Sequence, residues 1–594
     1  MKISQKNRLS FFSDLYENAK NHVSPIHEEM EGYMAQYCGS DKIDGSSVRA
    51  SLVRNITYEL IEAEVSSEIP SPRVSPELFS EKNDRNARAC ERLCLSIRDK
   101  LPFEEMNDRD ERYTYIYGGS VFFVEWDDRI EGAETRGGAR VTCLPPRSLV
   151  PEPYVSDIDD MEYCFLRFDT TRDELCRRYG VSEETALLAA AEVDATAENG
   201  DEDLVTVVVC YYRNEEGAVS QYVFSGDAEL LHVDDCYSRR GELCVTCGET
   251  RGICRCGATR YKKKRIPFEY PSRDICLSDG EIIPKMSPLV DNSSCLVRKN
   301  GEAVMARTAF PYYRPKHFPI VVRRNVSKEN ALFGESDCAV IRPQQQAVNK
   351  IESRIMQKLL RAGVTPVLPD DAEVSLTNAV FGQVIRTKPG ESRSAYGVLD
   401  TTPSIQQDVL EAERLYLQAK NILGISDTYL GQEDATAISG RAKELLIAQA
   451  NGRLESKRRM KRAAYARLDR ILFELYLAYA DERRAFPVED ALGTTYNTYF
   501  NRYDFLEYDV DTGEYRYNDA YLFSVDTASA VEYDRETMWQ KNLENLRAGT
   551  LGDPSSPETL LRYWRAQERA HYPHAHEEIE YFRELVKRKE VAVE

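Results

Sequence analysis

The sequence predicts an α+β protein of several modules, with β-rich segments in its first half and long helices in its second. Three observations carry this. At about 150 residues per domain, 594 residues exceed what one hydrophobic core organises. Between Tyr113 and Phe168, and again in VTVVVCYY, QYVFSG and ELLHVDD, short runs of β-branched and aromatic residues alternate with turns. Beyond Asn325, three long stretches repeat apolar residues at helical spacing.

Composition narrows the class. With 42% hydrophobic and 30% charged residues, collagen-like, mucin-like and mainly disordered readings are excluded. No apolar stretch approaches the ~20 residues that span a bilayer. MKISQKNRLSFFSDLYENAK carries no apolar signal core, so a soluble, intracellularly made protein without membrane association is expected. The net charge of −21, from 78 basic and 99 acidic residues, argues against a surface that coats nucleic acid. Most of the 15 cysteines are isolated, but five crowd into residues 236–256, which suggests reduced thiols and one metal cluster.

The elements follow in order. The first ~68 residues read as two helices. The second is expected to be capped by Ser46 or Ser47, with Val48, Leu52, Ile56, Leu60 and Ala63 on one face, and it stops at Pro70 and Pro72. Residues 84–100 form a third helix with Ala87, Cys90, Leu93, Cys94 and Ile97 as its apolar face. β-rich runs then extend from Tyr113 to Phe168, followed by a small helix at 172–179. Residues 192–203, with six acids and no base, read as a solvated linker. Three strands, the cysteine-rich segment 236–265 and further strands lead to FPIVVRRN. Residues 336–361 are a helix of about 39 Å, with Pro343 in its early turns. Residues 364–403 are an irregular β-prone excursion, 404–423 a second long helix and 441–482 a still longer one. The last ~110 residues carry tyrosine-rich strands and two helices, the latter capped by Ser555 or Ser556 before Pro557.

Catalytic signatures are missing. The chain has no phosphate loop and no Gly-Lys dipeptide, no H-E-x-x-H, no G-x-S-x-G and no dinucleotide fingerprint. Of seven histidines, His571, His574 and His576 cluster around Pro573, as a metal or pH-sensitive patch or simply a polar helix entry. An enzyme with its own active site is not expected.

The metal-like signal is LCVTCGETRGICRCG, where Cys244, Cys247, Cys254 and Cys256 give C-x2-C-x6-C-x-C. Four soft thiolates suit tetrahedral Zn2+, and an all-cysteine set leaves no open position, so the zinc would be structural. The basic run Arg260, Lys262, Lys263, Lys264 and Arg265 follows, as a nucleic-acid contact or a solvated rim. On the 441–482 helix, Lys457, Arg458, Arg459, Lys461 and Arg462 occupy every angular position, so some are expected to meet solvent, a polyanion or a neighbouring subunit's acids.

Two long helices flanking a forty-residue excursion suit a spoke in a ring better than a compact monomer. In this succession the chain resembles the portal proteins of tailed bacteriophages. The carrying stretches are RNITYELIEAEVSSEIP, ERYTYIYGGSVFFVEWD, LPPRSLVPEPYVSDIDDMEYCFLRF, FGESDCAVIRPQQQAVNKIESRIMQ and GISDTYLGQEDATAISGRAKELL. The resemblance covers nearly the whole chain, through the order of parts rather than a single motif. It implies a wing at 1–332 with the zinc-like insertion 236–265, and a stem helix at 333–363. A clip at 364–403, a second stem helix at 404–423 and a tunnel loop at 424–440 follow. A long wing–crown helix at 441–484 then leads to a crown at 485–594.

The resemblance further implies a virion component, made in the host cytoplasm: a ring, usually of twelve copies, at one capsid vertex. Double-stranded DNA would be packaged and ejected through its channel, with terminase and later a head–tail adaptor docking on the clip. Major capsid or scaffold protein would contact the wing. Asp427, Glu433 and Asp434 in the tunnel loop would repel phosphates, and Arg386, Lys388, Arg393 and Tyr396 would be clip contacts. The cysteine-rich insertion departs from the common portal pattern, and a zinc-stapled knob on the outer wing is the expectation for it. The competing class is a monomeric zinc-containing nucleic-acid-binding protein or enzyme.

Overall fold

The structure is a computed structural model of the chain. It describes residues 8–40, 54–132, 135–189, 204–236, 310–361, 404–425, 440–489, 495–509, 514–525 and 535–569. Shorter helix and strand pieces are described between 239 and 305, between 364 and 400, and between 572 and 586. The chain is mixed α and β, as its alternating patterns predict.

Helix α1 (Arg8–Tyr37) is followed by α2 (Ile56–Glu64), strand β1 (Pro72–Pro76), α3 (Glu81–Lys100) and α4 (Phe103–Tyr117). α2 is capped by Asn55, whose side-chain oxygen accepts from the Tyr58 amide at 3.0 Å; the expected caps Ser46 and Ser47 lie outside the described residues. α3 is capped by Ser80. Tyr113–Tyr117, expected to open a β run, instead form the last turn of α4. The alternating tyrosines mimic a strand. Glu104 and Glu105 in the first turn complement the helix dipole, however, and Gly118 in the left-handed region (φ 87°) terminates it.

Strands β2 (Gly119–Glu131) and β3 (Arg136–Leu144) pair antiparallel. They lead into β4 (Leu149–Pro151), β5 (Tyr163–Thr171), helix α5 (Arg172–Tyr179), β6 (Leu204–Arg213), β7 (Val219–Ser225) and β8 (Ala228–Val233). β4 to β8 form a five-stranded meander in sequence order. Both its faces are covered. On β6, Val208, Cys210 and Tyr212 meet Phe12, Tyr16, Ala19 and Val23 of α1, while Val205, Val207, Val209 and Tyr211 join the main core. That double burial is why LVTVVVCYY reads as a continuous apolar run.

β9 (Ile320–Arg324) completes a three-stranded sheet in the order β9–β2–β3. Helices α6 (Asp337–Arg361), α7 (Gln406–Leu423) and α8 (Gly440–Tyr479) come next. α6 runs through Pro343. Between α6 and α7, Val364–Val367 pairs antiparallel with Gly397–Asp400, and Ser375–Ala379 with Gly382–Arg386. The second half of α8 is buried nearly all round: Leu468, Leu472, Phe473 and Leu477 are inaccessible or nearly so. It packs against β2, where Phe122 meets Tyr465 edge-on with ring centroids 5.6 Å apart. Arg502 ends α8 by donating to the Ala478 carbonyl at 3.2 Å and pairing with Asp481 at 2.7 Å.

Beyond α8, Phe486, Phe500, Phe505 and Tyr521 belong to the same core as β2 and α3. β10 (Tyr521–Val525) pairs antiparallel with β1, Arg73 opposite Ser524. The segment expected as crown therefore supplies a strand and core side chains to the segment expected as wing. Helices α9 (Arg535–Arg547) and α10 (Pro557–Arg569) follow. Among the described residues no helix is long and apolar enough to cross a membrane.

Candidate functional site: a helix pair rooted in a buried charge network

The entry to α6 is built from two glycines. The Gly118 carbonyl accepts from the amides of Asn325 and Gly334, at 3.0 and 2.9 Å. A Cβ on Gly118 would strike the Gly334 carbonyl, and one on Gly334 would strike the Val326 backbone. Phe333 is buried beside them. Ser336 then starts the helix: its hydroxyl donates to the Ile116 carbonyl at 2.5 Å and accepts from the Ala339 amide at 3.3 Å.

Polar side chains fix α6 to the N-terminal helices. Gln36 donates to the Thr57 hydroxyl at 2.9 Å and the Cys338 carbonyl at 3.1 Å. Gln345 accepts from the Thr57 amide at 3.0 Å and donates to the Arg54 carbonyl at 2.7 Å. Each donor here is met, which makes the junction specific in register.

α6 and α7 are antiparallel. Ile341 and Val348 of α6 pack with Ala419 and Leu423 of α7 and with Ile56 and Leu60 of α2. At the other end Asp408 pairs with Arg354 and Lys358, hydrogen bonds that hold its carboxyl below the ordinary carboxylate range. At 3.6 residues per turn, Leu410 and Leu417 fall on the face opposite this seam. They are 62% and 51% exposed, an apolar pair on water among Gln406, Glu413 and Arg414.

Below the pair lies a buried charge network. Lys457 of α8 reaches Glu64 of α2 and Asp337 of α6, each at 2.7 Å. Lys461, one turn on, reaches Glu111 of α4 at 3.0 Å and donates to the Glu68 carbonyl at 2.5 Å. Arg323 of β9 pairs with Glu111 at 2.7 Å and with Asp110, which also accepts from the Ser120 hydroxyl. Burial pushes the Glu111 carboxyl up, but Arg323, Lys461 and the Ser66 amide outweigh it and hold it down to about 2. Burial raises Asp110 despite Arg323, and lowers Lys461. A narrow cleft runs past Glu64, Glu111, Tyr115, Arg323 and Lys461, with room for about one or two waters.

This narrows one expectation: of the five cations on this stretch Arg459 meets solvent as expected, but two turn inward. Lys457 and Lys461 are 8% and 5% exposed and direct their charge inside the chain. Arg462 pairs with Glu455 at 2.9 Å, whereas the Arg459 side chain is 74% exposed. The reason is that α8 crosses three elements whose acids face it. Sequence reading missed those acids because they are spread over more than 270 positions, from Glu64 to Asp337. A signal was present: Glu64 falls in phase with Ile56, Leu60 and Ile61 on α2, and Lys461 with Ala464, Tyr465 and Leu468 on α8.

Of the residues expected at sites, Cys244 ends the strand Arg239–Cys244, paired with Tyr261 of the strand Tyr261–Ile266. It is buried, and its Sγ accepts from the Thr246 amide at 3.4 Å. The Val245 amide donates to the Arg260 carbonyl at 3.1 Å, so this hairpin brackets the remaining cysteines in sequence. Cys247, Cys254 and Cys256 lie outside the described residues, as do Asp427, Glu433 and Asp434 of the expected tunnel loop. Arg386 ends the strand Gly382–Arg386, while Lys388, Arg393 and Tyr396 fall outside, with His571, His574 and His576. No protein-family model matches the chain, and no curated protein matches it.

Proposed function

We propose that the chain is a phage-type portal subunit: one copy of a ring at a capsid vertex, through which DNA is packaged and ejected. The observation that supports this most directly is the antiparallel α6–α7 pair. It is anchored at one end by the Gln36, Gln345 and Lys457 contacts and carries paired β-segments beyond the other end. The face opposite its seam exposes Leu410 and Leu417. Neighbouring copies around a ring would bury these two leucines.

On this reading α6 and α7 are the stem and the paired segments between them the clip, where Arg386, Lys388, Arg393 and Tyr396 would meet terminase and then an adaptor. Asp427, Glu433 and Asp434 would face DNA as a repelling constriction. The net charge of −21 suits a passage that does not grip its cargo. Sizing decides between classes. Native mass and negative-stain microscopy should give rings near 0.8 MDa from subunits of 67.9 kDa. A monomer that binds DNA with steep salt dependence would overturn the portal reading in favour of a zinc-containing nucleic-acid protein. That competitor has already lost Lys457 and Lys461 to internal pairs.

The four cysteines are proposed to hold one structural zinc as a staple for the small insertion. The hairpin that brackets the four cysteines supports it, because the Cys244–Tyr261 pairing and the Val245 amide to the Arg260 carbonyl bring the ends of the short cysteine segment together. Metal analysis should find one zinc per chain and much less in Cys244→Ser; no zinc in pure wild type sinks the proposal.

A further inference from the structure

Glu64, Asp337 and Lys457 form a trio that does not balance. Their side chains are at most 9% exposed, and one ammonium lies 2.7 Å from each of two carboxylates. Glu64 Oε1 is buried with no hydrogen-bond partner. Among the described residues around the trio, the other cations and acids are equal in number. Asp110 and Glu111 of α4 are matched by Arg323 of β9 and Lys461 of α8. Arg458 of α8 and Glu68 add one charge of each sign at the cleft, Arg462 is paired with Glu455, and Tyr115 offers its ring to Lys457 at 5.0 Å. Fully ionised, the trio would bury one uncompensated negative charge, which a protein interior does not tolerate without neutralising it.

We propose that Glu64 and Asp337 share a single proton above Lys457, and that this proton latches the first turn of α6 to the end of α2. It would neutralise the trio and give Glu64 Oε1 a hydrogen to place against Asp337. Burial, and then the Asp337 carboxylate, push the Glu64 carboxyl well above its ordinary value, in keeping with this. Such a latch holds the root of the α6–α7 pair whether or not the pair is the stem of a portal.

The sign follows from linkage. In the open state Glu64 ionises near its ordinary 4.5, and in the closed state it keeps its proton to higher pH. Closure is therefore favoured fully at low pH and weakens as pH rises from about 4.5 to the closed-state value, where it levels off.

Hydrogen-exchange mass spectrometry on the full chain, read on peptides from α2 and the first turns of α6 between pH 5 and 9, tests it. Ratios between variants at each pH cancel the intrinsic exchange rate. Wild-type protection divided by that of Glu64→Gln should fall about tenfold per pH unit before levelling. Asp337→Asn, which leaves Lys457 with one carboxylate, should abolish the fall as well. A wild-type ratio flat across the range overturns the latch, and so does an Asp337→Asn profile that falls as steeply as wild type. If Glu64→Gln does not fold, the comparison of Asp337→Asn with wild type decides the matter by itself.

Discussion

Gly334 shows how one missing side chain lets two parts of the chain meet. Its Cα faces the Val326 backbone, and its amide donates to Gly118, so α4, β9 and α6 converge on a point with no space for a methyl. Gly334→Ala should cost about 1–3 kcal/mol in urea unfolding, because backbone rather than a flexible side chain must move. Gly118→Ala should cost more, since φ 87° adds backbone strain to the clash. Glu111 makes a pH-dependent prediction. With its carboxyl held down to about 2, it contributes stability above its ordinary 4.5 that is lost as pH falls toward 2. Glu111→Gln should therefore flatten the acid limb of the stability profile over that interval, at the expense of neutral-pH stability. Profiles parallel to wild type would mean that Arg323 and Lys461 do not hold this carboxylate in solution.

The helix pair is the element whose far face the proposed ring would place against a neighbouring copy. Leu410→Asp combined with Leu417→Asp should disperse assemblies into folded monomers. Both side chains are more than half exposed, so each change should alter subunit stability by no more than about 0.5 kcal/mol. Equal assembly in mutant and wild type would show that this face is not between copies. Elements like these were legible in sequence: α6, α7 and α5 lie within two residues of their apolar periodicity, because amphipathic spacing and local caps decide them. α4 was not, since its Tyr113–Tyr117 stretch carries strand-like alternation that burial of Tyr115 and Ile116 against the core overrides. The charge network was harder to read: apart from Glu64 and Lys461, which fall in phase with apolar neighbours, members such as Asp110, Arg323 and Lys457 look like surface residues until tertiary contacts bring them together. The cysteine spacing was visible at once, but only Cys244 is fixed by the hairpin described.

Across the whole molecule, one hydrophobic core joins residues from Met30 to Val525, with α8 as its axis. The N-terminal sheets, the root of the α6–α7 pair and the post-α8 strands are therefore coupled: a force on the α6–α7 pair passes through Ser336, Lys457 and α8 to β10. The pairing of β1 with β10 also sets a schedule for synthesis. Arg73 and Ser524 are 451 positions apart. At roughly 5–20 residues added per second, β1 waits about 20–90 s for its partner to leave the ribosome. Throughout that interval Val74 and the apolar face of α3 lack the strand and the aromatic side chains that cover them in the finished chain. Chains crowded on one message would thus be sticky before they are complete, and a cell making many copies gains from chaperones that occupy this face until β10 arrives.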